Sequence, residues 1–388
     1  WEQRKLGEAA TVEMNKRIFK EKTSSEGEVP FYKIGTFGGA ADSYISRDLY
    51  EEYKKKYPYP NSGDILISAS GSIGRTVVYN GEEAYFQDSN IVWLNHEGRI
   101  NNSFLLQFYN VVKWSGLEGS TIKRLYNKNI LETPILLPKL EEQQLIGGFL
   151  KLVDDNITLH QRKLEKLQAT KKALLYELFP IENSRRPKRR FKGFTDDWEQ
   201  RKLGECIDSF EYGLNAAAME YDGKHKYIRI TDIDDETHTF IQDNLTSPAV
   251  DFNGSTSNYR LKMGDIVFAR TGASVGKTYL YNPNDGELYY AGFLIKGAVI
   301  EDCDAGFIYQ NTLRKKYDSF IKITSQRSGQ PGVNSKEYAS FKLNIPSKCE
   351  QEKISSLLSA LDNLVTLHQR KLEKLKNLKA AYLNEMFV

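Results

Sequence analysis

Two short glycine-rich words are the places where this sequence comes nearest to recognisable chemistry. Gly272-Ala-Ser-Val-Gly276-Lys277-Thr278 sets a lysine behind a pair of glycines, as phosphate-binding loops do, where backbone N–H groups cradle phosphates and the lysine reaches them. That loop needs four residues between its glycines, and here three intervene. The earlier word, Gly71-Ser-Ile-Gly74-Arg75-Thr76, has two and carries arginine in place of lysine. A nucleotide site is therefore not expected, and a tight turn between strands is. Other chemistry is equally thin. No Asn-Pro-Pro-aromatic or Asp-Pro-Pro-aromatic run exists for adenine methylation, and Asn282-Pro-Asn-Asp285 is no substitute. Cys206, Cys303 and Cys349 lie far apart, and with five scattered histidines they make no metal-ligand spacing. The chain reads as non-catalytic, with no cofactor of its own.

What the two glycine words share is position, because the chain is one unit written twice. Trp1-Glu-Gln-Arg-Lys-Leu-Gly-Glu8 recurs letter for letter from Trp198 to Glu205, an offset of 197. Leu159-His-Gln-Arg-Lys-Leu-Glu-Lys-Leu167 recurs from Leu367 to Leu375, an offset of 208. Weaker echoes keep the order: Phe31 to Thr36 answers Tyr227 to Asp232, and Gly63-Asp-Ile65 answers Gly264-Asp-Ile266. Collinear words across two halves dismiss coincidence. At 388 residues, 40% hydrophobic and 27% charged, the chain is long enough for two domains with cores and too apolar for wholesale disorder. No run approaches 18 apolar residues and no basic–apolar leader opens it, so a cytoplasmic location is expected. The net charge of +3 decides nothing, but Arg185 to Lys192 packs six cations into eight residues, read as a solvated linker with phosphate contact as the alternative.

Each unit opens with a mixed part and closes with a helical one. Short β-branched and aromatic runs, Ile65-Leu-Ile67, Thr76 to Tyr79 and Tyr279-Leu-Tyr281, are divided by Gly, Asn, Asp and Ser clusters, which predicts a small domain of short strands and helices. Beyond Pro138 and Pro346 come roughly 40 residues without proline. There Ile146, Leu150, Val153, Ile157, His160, Leu164 and Leu167 step by three and four, and Ile354, Leu358, Leu361, Val365, His368, Leu372 and Leu375 repeat the steps. Lys171 and Lys379 continue the two series at matching positions. A period of about 3.5 residues makes a seam for a partner helix, and two matching seams can satisfy each other. An amphipathic helix lying on its own domain is the plainer alternative. At about 1.5 Å per residue each helix is roughly 60 Å long. A parallel pair would make segment 181–197 span that length almost fully stretched, so antiparallel pairing is expected. The expected class is α+β: two similar α/β domains, residues 1–138 and 198–346, with a helix over 139–180, a basic linker over 181–197 and a second helix over 347–388, the helices forming an antiparallel coiled coil. Two related domains at a fixed separation would make a ruler for paired half-sites on a DNA duplex. The same geometry permits a protein-binding scaffold.

The Glu-Gln-Arg-Lys-Leu-Gly-Glu openings, Gly63-Asp-Ile65 and Gly264-Asp-Ile266 with a glycine-rich turn after them, and Pro138 with Glu142-Gln143 and Pro346 with Glu350-Gln351 before long helices resemble the specificity subunits of type I restriction-modification enzymes. The resemblance covers nearly the whole chain in the order recognition domain, helix, recognition domain, helix. It implies double-stranded DNA as the target, read as two half-sites, and two methyltransferase subunits docked on the coil. It further implies motor–nuclease subunits for cleavage, with S-adenosylmethionine, ATP and Mg2+ acting on those partners rather than here. The chain starts at Trp1, whereas Arg190 to Asp197 precedes the second unit, so a matching leader is expected ahead of the first.

Reading DNA requires donors facing base edges and cations on phosphates. Arg75 and Lys277 occupy matching places on the glycine words. Lys123, Arg124, Gln330 and Asn334 stand just before the last strand of each domain, in stretches whose chemistry differs as two readers should. Thr36 and Thr231 end matching strands. Solvation is the competing reading for all eight, and seam packing is the expected role of His160 and His368.

Overall fold

The computed structural model describes residues 1–114, 124–181, 184–252 and 254–387. The chain divides into two compact units, Trp1–His160 with Lys371–Val388, and Gln161–Arg370. Both are built on one plan.

In the first unit the strands are β1 (Glu2–Lys5), β2 (Thr11–Glu13), β3 (Val29–Tyr32), β4 (Tyr44–Ile45), β5 (Ile65–Ser68), β6 (Thr76–Val78), β7 (Tyr85–Phe86), β8 (Ile91–Asn95) and β9 (Pro134–Leu137). The helices are α1 (Leu6–Ala9), α2 (Arg47–Lys56), α3 (Asn102–Val111), α4 (Asn127–Glu132) and the long α5 (Leu140–Glu177), which runs on into the second unit. A four-stranded sheet has the order β2-β8-β5-β6, and a smaller one the order β4-β3-β7. The second unit carries β10 (Glu199–Lys202), β11 (Ile207–Tyr212), β12 (Ala218–Glu220), β13 (Lys226–Ile228), β14 (Thr246–Pro248), β15 (Asp265–Ala269), β16 (Thr278–Leu280), β17 (Leu288–Tyr290), β18 (Leu294–Val299) and β19 (Lys342–Ile345). Its helices are α6 (Ala305–Asn311), α7 (Lys315–Thr324), α8 (Ser335–Ala339) and the long α9 (Lys348–Met386), which ends in the first unit. The main sheet repeats the order as β11-β18-β15-β16.

The repeated opening word has a structural purpose. Glu2 pairs with Leu137 and Lys5 with Pro134, antiparallel; Glu199 pairs with Ile345 and Lys202 with Lys342 in the same way. Each domain thus begins by bonding the strand that leads into its long helix. The glutamines at that helix start act as bolts. Gln143 is buried, donates from Nε2 to Pro138 O at 3.0 Å and accepts the Asn101 N–H at 2.9 Å. Gln351 does the same with Pro346 O at 2.9 Å and Asp304 N–H at 3.0 Å. Asn101 and Asp304 themselves cap α3 and α6. An aromatic trio recurs as well. Phe104 packs on Phe387 with centroids 4.9 Å apart and Trp1 edge-on at 6.2 Å; Phe307 stacks on Phe179 at 5.2 Å with Trp198 at 5.6 Å.

The long helices pair antiparallel in both units. In the first, Phe149 meets Tyr382 and Asp154 bonds Lys379 at 2.6 Å; in the second, Lys171 bonds Asp362 at 2.5 Å. The lysines that continue the seam therefore find carboxylates across it. Each aspartate also accepts an amide from its own unit's short helix, Gln107 to Asp154 at 2.9 Å and Gln310 to Asp362 at 2.8 Å. Leu150, Val153, His160, Leu164, Ile354, Leu358, Val365 and Leu372 are buried, and Ile146, Ile157, Leu167, Leu361, His368 and Leu375 half-buried. His160 stands six residues beyond Asp154 and Leu372 seven before Lys379, so the two are level to within about one 1.5 Å rise.

Segment 184–198 keeps most of its cations exposed, as a solvated linker would, but is tied down at Arg190. Arg190 donates from Nε and Nη2 to the two carboxylate oxygens of the buried Glu350, at 2.7 and 2.8 Å, and Arg189 bonds Glu177 at 2.8 Å. Arg186 pairs with Asp197, and Lys188 lies 4.4 Å over the Tyr176 ring. Three of the six cations thus meet carboxylates while Arg185, Arg186, Lys188 and Arg189 stay exposed, and Arg190 on Glu350 ties the segment to the second unit.

Candidate nucleic-acid interface

One end of each four-stranded sheet gathers the loops that carry the candidate residues. In the first unit β5 turns into β6 through Ala69–Arg75. Gly74 sits at φ +82° and a Cβ there would lie 2.9 Å from Trp114 Nε1, so glycine is required by both backbone and space. Ser68 Oγ accepts the Arg75 N–H at 2.9 Å, closing the turn. Arg75 is exposed, and a Cβ on Gly38 would meet its guanidinium at 3.1 Å. Arg124 joins the same end: its backbone bridges to Ser70, its Nη2 donates to Ser89 O at 3.3 Å, and its guanidinium lies 5.7 Å over the Tyr126 ring. Ser70 Oγ donates to Asn90 Oδ1 at 2.8 Å, adding a hydroxyl–amide pair beside the Arg124 bridge. Thr36 is near, but its hydroxyl accepts the Lys33 N–H at 3.1 Å inside its own turn. Lys123 lies outside the described residues.

In the second unit β15 turns into β16 through Arg270–Lys277. Gly276 sits at φ +88° with Ile321 Cγ2 only 2.7 Å from a would-be Cβ. Lys277, aligned with Arg75, is held differently: its ammonium bonds Asp235 at 2.5 Å and the Ile233 carbonyl at 3.3 Å. Asn334 is committed to a helix cap, its side-chain oxygen accepting the Glu337 N–H at 3.0 Å at the start of α8. Thr231 is exposed and its hydroxyl donates to Asp232 at 3.2 Å. Gln330 is exposed, and its Nε2 would lie 3.0 Å from a Cβ on Gly272. Arg75, Arg124, Lys277 and Gln330 thus come to the loop ends of their sheets, while Asn334 and the two threonines spend their polar atoms locally.

Sequence reasoning missed the centre of the second patch. The Arg270 guanidinium lies 4.9 Å over the Tyr212 ring, and the exposed Phe293 sits at the tip of the turn between β17 and β18. The Ser335 hydroxyl and N–H beside the Tyr212 oxygen, with Arg270 over the ring, hold that phenol below its ordinary range. His238, in the hairpin that grips Lys277, is pushed down by burial, although its Nδ1 lies 3.2 Å from Thr278 O. Among the described residues no group of three or more His, Cys, Asp or Glu could hold a metal, and no helix is long and apolar enough to cross a membrane.

Compared with known proteins, residues 1–169 and 195–377 each match the type I restriction modification DNA specificity domain. The chain belongs to this family. A putative type I restriction enzyme specificity subunit of Haemophilus influenzae is 56% identical over 146 residues, 37% of this chain and 38% of that protein. The chain thus spans well under half the length of that relative. The MjaVIII type I restriction enzyme specificity subunit of Methanocaldococcus jannaschii is 23% identical over 340 residues, 84% of this chain and 75% of that one. The type I restriction-modification S subunit of M. genitalium shares the fold, with a TM-score of 0.67 at 16% identity over the whole of this chain and 96% of that one. Specificity subunits are the non-catalytic components of type I systems, and both halves of this chain carry the family's target-recognition plan.

Proposed function

We propose that the chain is the DNA-reading subunit of a type I restriction-modification complex, each domain reading one half of a bipartite double-stranded target. The observation that carries this is one sheet plan presenting two different chemistries at its loop end. Arg75, Arg124, Ser70 and Asn90 stand there in one unit, and Arg270, Gln330, Tyr212 and Phe293 in the other. A common scaffold with unlike tips suits two half-sites of unlike sequence. The paired helices set the spacer. Two methyltransferase subunits dock on the coil, where Leu145, Leu152 and Leu159 stand exposed at seven-residue spacing, and motor–nuclease subunits complete the assembly. S-adenosylmethionine, ATP and Mg2+ act on those partners, in the cytoplasm.

The test is affinity for duplex DNA with the modification subunits present, measured against salt, together with mapping of methylated adenines. Log affinity should fall linearly with log salt, and methylation should mark one bipartite sequence. Salt-independent or absent DNA binding would leave a protein-binding adaptor as the function.

A further inference from the structure

We propose that Arg270 is the specificity-determining residue of the second domain, forking onto a guanine edge in the major groove, with Tyr212 as its positioning residue. This rests on the DNA-reading function above.

Arg270 is fixed from three sides. Its N–H donates to Phe293 O at 3.0 Å and its carbonyl accepts the Val333 N–H at 2.9 Å, so two separate loops pin its backbone. Its guanidinium lies on Tyr212, whose oxygen is shared with the Ser335 hydroxyl at 3.3 Å and N–H at 3.4 Å. Among the described residues the Arg270 guanidinium has no protein acceptor, which leaves its N–H fork open for two. Neighbouring cations are spoken for: Arg229 holds Asp232, Lys277 holds Asp235 and Arg327 holds Glu337. Among the described residues Arg270 has no carboxylate within ion-pair distance.

The choice of base over phosphate follows from comparing the two domains. Arg75 and Lys277 keep a cation at the same place in both domains, so that place carries no difference between the halves, and Lys277 is already held by Asp235. Arg270 aligns with Ala69, which is buried, so this position differs between the halves as a reading position must. The flanking Phe293 ring and the Gln330 amide also suit base edges more than a phosphate. Of the four bases, guanine alone offers two adjacent acceptors, N7 and O6, to such a fork.

The experiment uses the full chain expressed with its own modification subunits, reading both the methylome and affinity for the mapped duplex. Arg270→Ala and Arg270→Lys should each lose a guanine requirement at one position of one half-site, roughly 10- to 100-fold in discrimination, leaving the other half-site intact. Arg270→Met keeps the stem over Tyr212 and should behave as Ala does, which covers a folding defect in the smaller variant. Tyr212→Phe should retain guanine and Tyr212→Ala should relax it, without changing affinity for non-specific DNA. An unaltered target in an active Arg270→Ala complex, or an equal loss on every sequence, overturns the proposal. A wild-type complex without any sequence-specific methylation would instead overturn the DNA-reading function itself.

Discussion

Gln143 and Gln351 are small residues of decision in this molecule. Each joins the turn before a long helix to the cap of a short one, and each is almost fully buried. Replacing either by leucine keeps the volume but strands a buried N–H and a carbonyl, which costs about 1–3 kcal/mol. Chemical denaturation of Gln143→Leu and Gln351→Leu should show that loss in each, and wild-type stability in both would refute the bolt. His238 gives a pH signature. Its folded value lies below the ordinary 6.5, chiefly through burial, so the unfolded chain binds more protons and the stabilisation present above 6.5 is lost as the pH falls. Its φ of +55° is a conformation asparagine accepts, so His238→Asn should flatten the decline in melting temperature just below pH 6.5. At this scale the sequence was half legible. Aligning the repeats put Arg75 and Lys277 on matching glycine turns, and the stretches before each last strand supplied Arg124 and Gln330 as candidates. It did not reveal that Asn334 caps α8 or that Asp235 holds Lys277, since those partners are chosen by backbone direction. Arg270 was invisible for the same reason: nothing in its neighbours shows that Tyr212, 58 residues earlier, lies beneath it.

The long helices are where pattern and structure meet most closely. A 3.5-residue apolar period marks a seam whatever it packs against, and the duplicated letters supply a matching second seam. Their polar interruptions carry the pairing. Asp154 and Asp362 each receive a lysine from the opposite helix and a glutamine from a short helix, at half-exposed positions. Reversing one charge, as in Lys379→Glu, should destabilise the chain, and restoring the pair with Asp154→Lys should recover part of it. A double-mutant cycle should return about 0.5–1 kcal/mol of coupling, reduced by salt as partly exposed pairs are. Zero coupling would make the contact incidental. The basic segment was the element least legible in sequence. Composition shows six cations together but not that Glu177, Glu350 and Asp197 fold against them.

For the whole molecule, the proposed DNA-reading function makes the two duplicated domains separable readers. Exchanging residues 198–346 for another recognition domain should change one half-site and leave the other half and the spacer as they were. The spacer itself is the sharper question. Lys163 and Lys371 occupy matching places in the duplicated helix sequences, 208 residues apart. Four residues inserted after each would lengthen both helices by about 6 Å at 1.5 Å per residue. Four residues exceed one helical turn only slightly, so the coil unwinds locally instead of losing its seam. Six ångströms is close to two base pairs at roughly 3.4 Å each, and the small added rotation takes back part of that. Methylome sequencing of cells carrying the insertion should show both half-sites unchanged in sequence and the gap between them longer by one or two base pairs. A spacer of unchanged length in an active insertion variant would mean that the coil joins the two readers without measuring the distance between their sites.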